Sequence, residues 1–294
     1  MDAATEPRDA SMRVGDGRTV AWTDWGDPHG RPLLRVPGTP GCRWSVRSDR
    51  SPWAERGLRV VTTERPGFGT STRLPGRRFR EHADDLAAVL DHLGIERVHL
   101  CGGSGAAPHE LALCQYHPDR VVAATVVAGS APVRDDEVDA MIPLNAQVWH
   151  LMRDGRRDEA TGVMARVRAA MLADPLAAFR GIMDTAPPED LAVMADPQWQ
   201  QGFARALLES LGAGLDGWVD EAMALDGIWD VDPASVTTSV TWYHAVEDRN
   251  CPISAARRLV DALPHARFVE WTDAGHLTAY HREGEILDEL LARG

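Results

Sequence analysis

A serine set among very small residues is the feature that most constrains how this chain folds. The segment Gly102–Ala106 reads Gly-Gly-Ser-Gly-Ala, with the serine at position 104. An apolar, strand-like run, Val98–Cys101, precedes this segment, and a helix-like run begins at Pro108. A tight strand-to-helix turn can present a nucleophilic hydroxyl above a sheet, and only very small residues fit around the strained serine. The segment therefore predicts that Ser104 is the nucleophile of an acyl-transfer enzyme, most simply a hydrolase.

Apolar, β-branched runs alternate with helix-like segments in the first and last parts of the chain. Residues 79–93 carry apolar side chains at helical spacing, and Gly94 ends that helix. Such alternation is typical of a mostly parallel central sheet with crossover helices, so the predicted fold class is α/β. The predicted strands are Ser11–Val14, Thr19–Trp25, Pro32–Val36, Leu58–Thr63, Val98–Cys101, Val121–Ala128, Val236–His244 and Ala266–Trp271.

The pattern changes after Pro132, where residues 135–234 read as successive helices without a convincing strand. Proline-containing pairs punctuate this stretch as helix boundaries. These pairs are Asp174-Pro175, Pro187-Pro188 and Asp196-Pro197. We expect an inserted helical cap over residues 133–235, within an α/β core formed by residues 1–132 and 236–294. The first ten residues are polar and are predicted to be disordered.

Charge and apolar content exclude several classes of protein. The chain has 294 residues, is 44% hydrophobic and carries a formal net charge of −13, which argues against a nucleic-acid-binding surface or a polybasic membrane patch. No apolar run approaches the roughly 18 residues of a membrane span, and the amino terminus lacks the basic and apolar parts of a signal peptide. The four cysteines have no metal-ligand spacing. We expect a soluble, cytoplasmic protein with a small-molecule substrate and no nucleic-acid or membrane partner; a homodimer stays open.

Two later loops carry the residues that a serine nucleophile requires. Serine needs a base that accepts its proton, and the base needs a carboxylate that orients it. In this arrangement the acid and then the histidine follow late strands. Asp248 comes after the predicted strand that ends at His244, and His276 comes after the next strand. We therefore predict a triad of Ser104, Asp248 as acid and His276 as base, with Glu247 and Asp273 as reserve acids.

The loop after the predicted strand Pro32–Val36 is the expected source of hydrogen bonds to a developing oxyanion, because backbone N–H groups stabilise that charge. Gly105, directly after the serine, supplies one N–H group. In the loop Pro37–Gly41, neither proline has an N–H group. We therefore predict Thr39 as the second donor and Gly38 as the reserve donor.

Other chemistries fit the same residues less well. A glycine-rich turn after a strand could cradle a phosphate, but the third glycine of that motif is missing and no Walker lysine follows. His109-Glu110 does not continue into a zinc-binding His-Glu-x-x-His helix, so neither a metal nor a cofactor is predicted. His109 lies close to the serine and is a candidate for lining the substrate pocket. Trp149 and Trp218 are the candidates from the cap, whose many methionines and tryptophans favour an adaptable apolar pocket.

Five segments in order make the chain resemble the α/β-hydrolase superfamily over nearly its whole length. The segment Glu64–Ser71 is similar to the family's Asp-Arg-Pro-Gly-x-Gly-x-Ser turn, which in that family borders the active site. The resemblance implies an α/β-hydrolase fold, and it implies that the helical cap is the lid that sets substrate choice. The matching segments are Pro37–Gly41, Glu64–Ser71, Gly102–Ala106, Glu247–Pro252 and Gly275–His276.

The chain departs from the family pattern at three positions. The usual His-Gly before the oxyanion donor is Pro37-Gly38 here, so the hydrogen bonds that brace this loop must differ. Ala106 replaces the last small glycine of the serine turn, and Glu64 replaces the usual aspartate. None of these departures removes a member of the predicted triad, so activity is expected.

The predicted reaction is cleavage of an ester or lactone of a medium-sized, largely apolar small molecule through an acyl-enzyme. The apolar cap lacks a fixed cluster of acidic residues for an amine terminus, which disfavours a proline-iminopeptidase-like amide hydrolase. Two other interpretations stay open. One is an acyltransferase, lyase or cyclase of secondary metabolism on the same fold. The other is a catalytically silent small-molecule-binding protein, against which the intact triad argues.

Overall fold

Eight strands form one sheet in the structure, a computed structural model that describes residues 7–293. In chain order they are β1 (Arg8–Arg13), β2 (Thr19–Gly26), β3 (Arg31–Val36), β4 (Leu58–Thr63), β5 (Val98–Gly103), β6 (Val121–Val127), β7 (Val240–Ala245) and β8 (Ala266–Trp271). Their order in the sheet is β1-β2-β4-β3-β5-β6-β7-β8. Only the pairings of β2 with β1 and with β4 are antiparallel among these strands. The predicted α/β class with a mostly parallel sheet is confirmed.

Helices follow most strands, as crossover connections between parallel strands require. In chain order they are α1 (Ser51–Ala54), α2 (Phe79–His92), α3 (Ala107–Tyr116), α4 (Asp135–Val138), α5 (Pro143–Arg153), α6 (Arg157–Ala173), α7 (Pro175–Ile182), α8 (Pro188–Ala195), α9 (Pro197–Gly212), α10 (Asp216–Asp226), α11 (Ile253–Asp261) and α12 (Glu283–Leu291). Among residues 7–293, none of the helices is both long and apolar enough to cross a membrane.

Alternate residues of the central strands fill two apolar cores, one on each face of the sheet. Leu34 and Val61 pack with the apolar sides of α2, α3 and α11. Their neighbours Leu33 and Val60 point the other way and pack with α1 and α12. The central strands are therefore covered on both sides, and the carboxyl ends of β3, β5, β7 and β8 are left to carry the loops of the site.

Between β6 and β7, residues 135–226 form successive helices and are called the cap below. Prolines stand in the first turn of α5, α7, α8 and α9, where a missing N–H group costs nothing. The Asp174 and Asp196 carboxylates accept hydrogen bonds from N–H groups in the first turns of α7 and α9. The helix boundaries predicted from these Asp-Pro pairs are confirmed. The cap also has apolar clusters of its own, one of which joins Met164 to Val219.

Two predictions about strand ends are wrong. Residues 1–10 were expected to be disordered, but Arg8–Arg13 forms β1 and pairs with β2. The Arg8 guanidinium donates a 2.8 Å hydrogen bond to the buried Asp24 carboxylate, and Ala10 and Met12 pack against the apolar core, so polar and apolar side chains both attach this edge strand. Residues 1–6 lie outside the described residues. The strand predicted from Val236 begins only at Val240, because a turn precedes it.

Candidate active site

Ser104 lies at the tip of a sharp turn between β5 and α3. Its φ is +54°, a left-handed conformation that residues other than glycine rarely adopt. The Ser104 N–H group donates to the carbonyl of Ala128 across 3.1 Å, and its carbonyl accepts from the N–H group of Ser130 across 2.9 Å. A side chain at Gly105 would come within 2.2 Å of Thr39 Oγ1, so only glycine fits there. The small residues are thus explained by the space around a strained serine.

The structure brings Ser104, His276 and Asp248 together from the ends of three different strands. Ser104 Oγ lies 3.2 Å from His276 Nε2, and His276 Nδ1 lies 2.8 Å from Asp248 Oδ2. The second carboxylate oxygen of Asp248 accepts from the N–H groups of Asn250 and Cys251, at 2.8 and 3.0 Å. Because an ionised carboxylate only accepts hydrogen bonds, Nδ1 carries the proton and Nε2 offers its lone pair to the serine.

The charges around His276 favour its role as a base. Burial alone would raise the pKa of the Asp248 carboxyl, but His276, His244 and the Cys251 N–H group together outweigh burial, and this pKa is lowered below 3.8. Burial would likewise lower the pKa of His276, yet the Asp248 and Asp190 carboxylates raise it above 6.5. Asp248 is therefore ionised at neutral pH, and the imidazole is a stronger base than an isolated histidine.

The reserve acids lie elsewhere. Glu247 is exposed, and Asp273 pairs with Arg282 across 2.9 Å at the surface. Neither makes a hydrogen bond to His276, among the contacts of residues 7–293. Of the three acids considered from the sequence, the structure brings only Asp248 to the imidazole.

Asp190, on cap helix α8, holds the histidine loop and was missed by sequence analysis. Its two carboxylate oxygens accept from the N–H groups of His276 and Leu277, at 2.9 and 2.7 Å. The side chain is buried, and burial raises its pKa although these N–H groups and His276 oppose the shift. No local spacing links position 190 to position 276, so the sequence carries no signal for this contact. Docking of the cap thereby fixes the loop that carries the base.

The loop Pro37–Gly41 lies directly beside Ser104. A methyl group on Gly38 would be 3.2 Å from Ser104 Cβ, and one on Gly105 would be 3.4 Å from the Thr39 nitrogen. Within residues 7–293, the N–H groups of Gly38 and Thr39 have no hydrogen-bond acceptor. The peptide bond from Thr39 to Pro40 is cis. The structure thus brings the three predicted oxyanion donors next to the serine, and which of them binds an oxyanion stays a prediction.

Two cavities meet at Ser104 and His276. The cap cavity has a volume of about 320 Å³, and its walls are mainly apolar side chains of the cap. The second cavity, of about 310 Å³, lies against α12 and the loop that follows β8. The cap cavity is lined by Met141, Leu144, Trp149, Met171, Trp218 and Leu225, among others. The second cavity is lined by Arg35, Arg47, Cys101, Tyr280, Glu283 and Ile286, among others.

The structure places two of the three candidate substrate-binding residues in a cavity wall and the third elsewhere. Trp149 and Trp218 line the cap cavity. His109 does not belong to the lining of either cavity in the described chain, so its prediction is wrong. It is fully buried, with Nε2 3.1 Å from Glu221 Oε1 and Nδ1 3.0 Å from Nδ1 of His82. Its position near the serine is real, but its side chain points from α3 toward α2 and cap helix α10 instead of toward the cavity.

Comparison with known proteins identifies the family of this chain. A family model described as "alpha/beta hydrolase fold" matches residues 31–282. A probable proline iminopeptidase from Streptomyces coelicolor is 29% identical over 234 residues, covering 70% of this chain and 71% of its own. A 2-hydroxy-6-oxononadienedioate/2-hydroxy-6-oxononatrienedioate hydrolase from Paraburkholderia phymatum is 26% identical over 241 residues, covering 81% of this chain and 77% of its own.

Solved structures show the same fold at low sequence identity. The crystal structure of an epoxide hydrolase from Vigna radiata superposes with a TM-score of 0.73, covering 98% of this chain and 99% of that one. The two sequences are 17% identical, so the likeness concerns the fold alone.

Proposed function

We infer that this chain, which belongs to the alpha/beta hydrolase fold family, is a serine hydrolase that cleaves an ester or lactone of a medium-sized, largely apolar small molecule. The observation that carries the proposal is the alignment of Ser104 Oγ, His276 Nε2 and buried Asp248 at the point where two cavities meet. A strained serine beside an oriented imidazole is the arrangement of an activated nucleophile.

The reaction proceeds in two halves. In the first, Ser104 Oγ bonds to the acyl carbon while its proton passes to His276 Nε2, and the departing alkoxide takes that proton as the ester C–O bond breaks. In the second, His276 takes a proton from water, and the resulting hydroxide attacks the acyl-serine. Ser104 then leaves with the proton, and the acid is released. The N–H groups of Gly105 and Thr39 hold the oxyanion in both halves, with Gly38 as the reserve donor.

The preference for esters and lactones rests on the walls of the two cavities. No aspartate or glutamate lines the cap cavity among the described residues. In the second cavity, Glu283 is already paired with Arg35 and Arg47. An amine terminus would need an unpaired carboxylate there, because a buried cation without a partner is strongly unfavourable. Two cavities of similar size fit a substrate with an acyl part and an alcohol part of comparable bulk.

The test is a panel of 4-nitrophenyl esters from acetate to octanoate, aliphatic lactones and proline 4-nitroanilide, assayed with the wild-type chain and Ser104→Ala. We expect turnover of esters or lactones that disappears in the variant. Turnover of proline 4-nitroanilide alone would replace the ester proposal by the amide alternative. Product formed in ¹⁸O-water without incorporation of the label would favour an acyltransferase, lyase or cyclase instead.

A further inference from the structure

We propose that Arg65 is a positioning residue that orients the two peptide groups whose N–H groups face the oxyanion, and that Glu221 of the cap holds Arg65 in place. The proposal rests on the acyl-enzyme function proposed above. It concerns the loop Pro37–Gly41, in which proline stands where the family pattern has histidine. That substitution removes a side chain that could brace the loop, and in this structure the Arg65 guanidinium hydrogen-bonds the loop.

The Arg65 side chain donates hydrogen bonds to two consecutive carbonyl groups of the loop. Arg65 lies in the turn after β4, and its side chain is fully buried. One terminal nitrogen donates to the Pro37 carbonyl, and the other donates to the Gly38 carbonyl across 2.6 Å. The planar guanidinium presents its N–H groups as a rigid fork, so two acceptors held by one arginine are fixed relative to each other.

These two carbonyls belong to the peptide groups of the candidate oxyanion donors. The Pro37 carbonyl shares a peptide plane with the Gly38 N–H group, and the Gly38 carbonyl shares one with the Thr39 N–H group. Both peptides are trans, and in a trans peptide the C=O and N–H bonds point in opposite directions. By holding both oxygens, Arg65 turns both N–H groups away from itself. A charge-assisted hydrogen bond at the oxygen also polarises the peptide and strengthens its N–H group as a donor.

Glu221, on cap helix α10, connects Arg65 and the loop Pro37–Gly41 to the cap. Its carboxylate is fully buried and lies 3.5 Å from Arg65 Nε, an ion-pair distance, and it accepts a hydrogen bond from Arg77. The same carboxylate accepts from the Thr39 hydroxyl across 3.3 Å. Burial alone would raise the pKa of Glu221, but Arg65 and Arg77 lower it well below 4.5, so the carboxylate is ionised. One cap residue thus holds both the arginine and the side chain of the donor Thr39.

The cluster carries an unbalanced positive charge beneath the loop. It contains two arginines and one carboxylate, and burial lowers the pKa of His109 to about 4, so that imidazole is neutral near pH 7. The pKa of His82 is likewise lowered well below 6.5, by burial and by His109. A buried positive charge favours negative charge developing nearby, which is the change that occurs at the substrate oxygen.

The experiment compares Arg65→Lys and Glu221→Gln with Asp220→Asn. Lysine keeps the charge but is a point donor and cannot hold two carbonyls as a fork. Asp220 is the adjacent residue on α10 and makes a cap-to-core ion pair with Arg73, at 2.6 and 3.0 Å, without touching the loop. It is therefore the matched control for loss of a cap contact. The readouts are kcat and KM for 4-nitrophenyl butyrate, inhibition by phenylboronic acid, and the number of sites labelled by a fluorophosphonate at completion.

We expect Arg65→Lys to lower kcat per labelled site by about 10- to 100-fold with KM changed by less than about 2-fold, because oxyanion donors act mainly on the transition state. Inhibition by the boronate, which forms a tetrahedral adduct, should weaken by the same factor. Glu221→Gln should shift both quantities in the same direction, and Asp220→Asn should leave both unchanged. A purely structural role would lower the number of labelled sites without changing kcat per site.

The proposal would be overturned if folded Arg65→Lys had the same kcat per labelled site and the same boronate affinity as the wild type. It would also be overturned if Asp220→Asn lost as much of both quantities as Arg65→Lys. If both buried variants fail to fold, Thr39→Val carries the test at a partly exposed position. Loss of its hydroxyl removes the contact with Glu221 and should lower kcat and boronate affinity together by about 3- to 10-fold; unchanged values would overturn the part of the proposal in which Glu221 acts on the donor loop. A wild-type chain that neither labels nor turns over esters would instead refute the proposed function itself.

Discussion

Trp242 Nε1 donates a hydrogen bond to His244 Nδ1 across 3.1 Å, and this contact fixes which nitrogen of His244 carries its proton. An indole only donates, so Nδ1 accepts and the proton lies on Nε2. His244 Nε2 then donates to the Cys251 carbonyl across 2.8 Å and faces Asp248 Oδ2 at 3.7 Å. Burial lowers the pKa of His244, although Asp248 opposes the shift, so the ring is neutral. The neutral His244 side chain thus lies next to Asp248 and supports the loop that carries Asp248.

His244→Phe tests this support. The substitution leaves the Trp242 N–H group and the Cys251 carbonyl buried without partners, and each such group costs about 1–3 kcal/mol. We expect the free energy of unfolding, measured by urea denaturation, to fall by about 2–5 kcal/mol and kcat to fall with it. Trp242→Phe is the companion variant: it removes the hydrogen bond to Nδ1 together with buried apolar volume, but it leaves the contact of His244 with the Cys251 carbonyl, so kcat should fall less than in His244→Phe. A loss below about 1 kcal/mol for His244→Phe would contradict the account.

The pH dependence of the reaction follows from the raised pKa of His276. The base acts only when neutral, so kcat/KM should rise with pH through an apparent pKa above 6.5 and then level off. Asp248→Asn removes the carboxylate that raises this pKa. We expect the variant's profile to shift to lower pH while kcat falls by about 10⁴-fold, since the imidazole loses its orientation and tautomer. An unshifted profile in Asp248→Asn would show that another group titrates.

Glu110 predicts a pH dependence of stability that is separate from catalysis. It is fully buried on α3, and its carboxyl oxygens lack a hydrogen-bond partner among residues 7–293. Burial raises its pKa well above 4.5, and Arg35 only partly opposes this. The folded state therefore keeps a proton that the unfolded chain releases, so the contribution of Glu110 to stability is fully present below about pH 4.5 and is lost as pH rises through the folded-state pKa.

Glu110→Met removes this cost with a side chain of similar shape. We expect a gain of about 1–3 kcal/mol in the free energy of unfolding at pH 8, and a smaller gain at pH 5, both measured by urea denaturation. Glu110→Gln separates the two contributions, because it removes the titration but keeps an unpaired polar group. Equal dependence on pH in wild type and Glu110→Gln would rule out Glu110 as the titrating group.

Trp218 tests the cap cavity as the acyl site. Trp218→Ala enlarges the apolar wall, so we expect kcat/KM for 4-nitrophenyl octanoate relative to acetate to rise by about 10-fold, or ~1.4 kcal/mol. Trp229→Ala is matched in size, and Trp229, which packs against Phe79 and donates to the Leu225 carbonyl, does not itself line the cap cavity. An equal change in both variants, or none in Trp218→Ala, would place the acyl chain elsewhere.

The sequence was sufficient where the geometry of the candidate site depends on short local patterns. The glycines around Ser104, and the positions of Asp248 and His276 just after late strands, can be read directly from the chain because each reports its own turn. The Asp-Pro pairs that begin α7 and α9 are equally local. For the same reason, the alternation of strands and helices was enough to predict the parallel sheet.

Contacts between distant segments could not be predicted in this way. Asp190 reaches the N–H group of His276, and Glu221 reaches Arg65, only after the cap has docked on the core. His109 shows the opposite error, since proximity to Ser104 along α3 does not determine which way a side chain points. Each of these partners is polar and buried, and burial of a polar group depends on tertiary packing that no local pattern reports.

Labelling by a fluorophosphonate, followed by intact mass spectrometry and peptide mapping, tests the central claim most directly. A serine that is activated by His276 beside an oxyanion site should attack phosphorus and acquire one phosphonyl group per chain. We predict a single adduct on Ser104 in the wild-type chain, none in Ser104→Ala, and much slower labelling in His276→Ala. A wild-type chain without an adduct, or with its adduct on another residue, would contradict the assignment of Ser104 as the nucleophile.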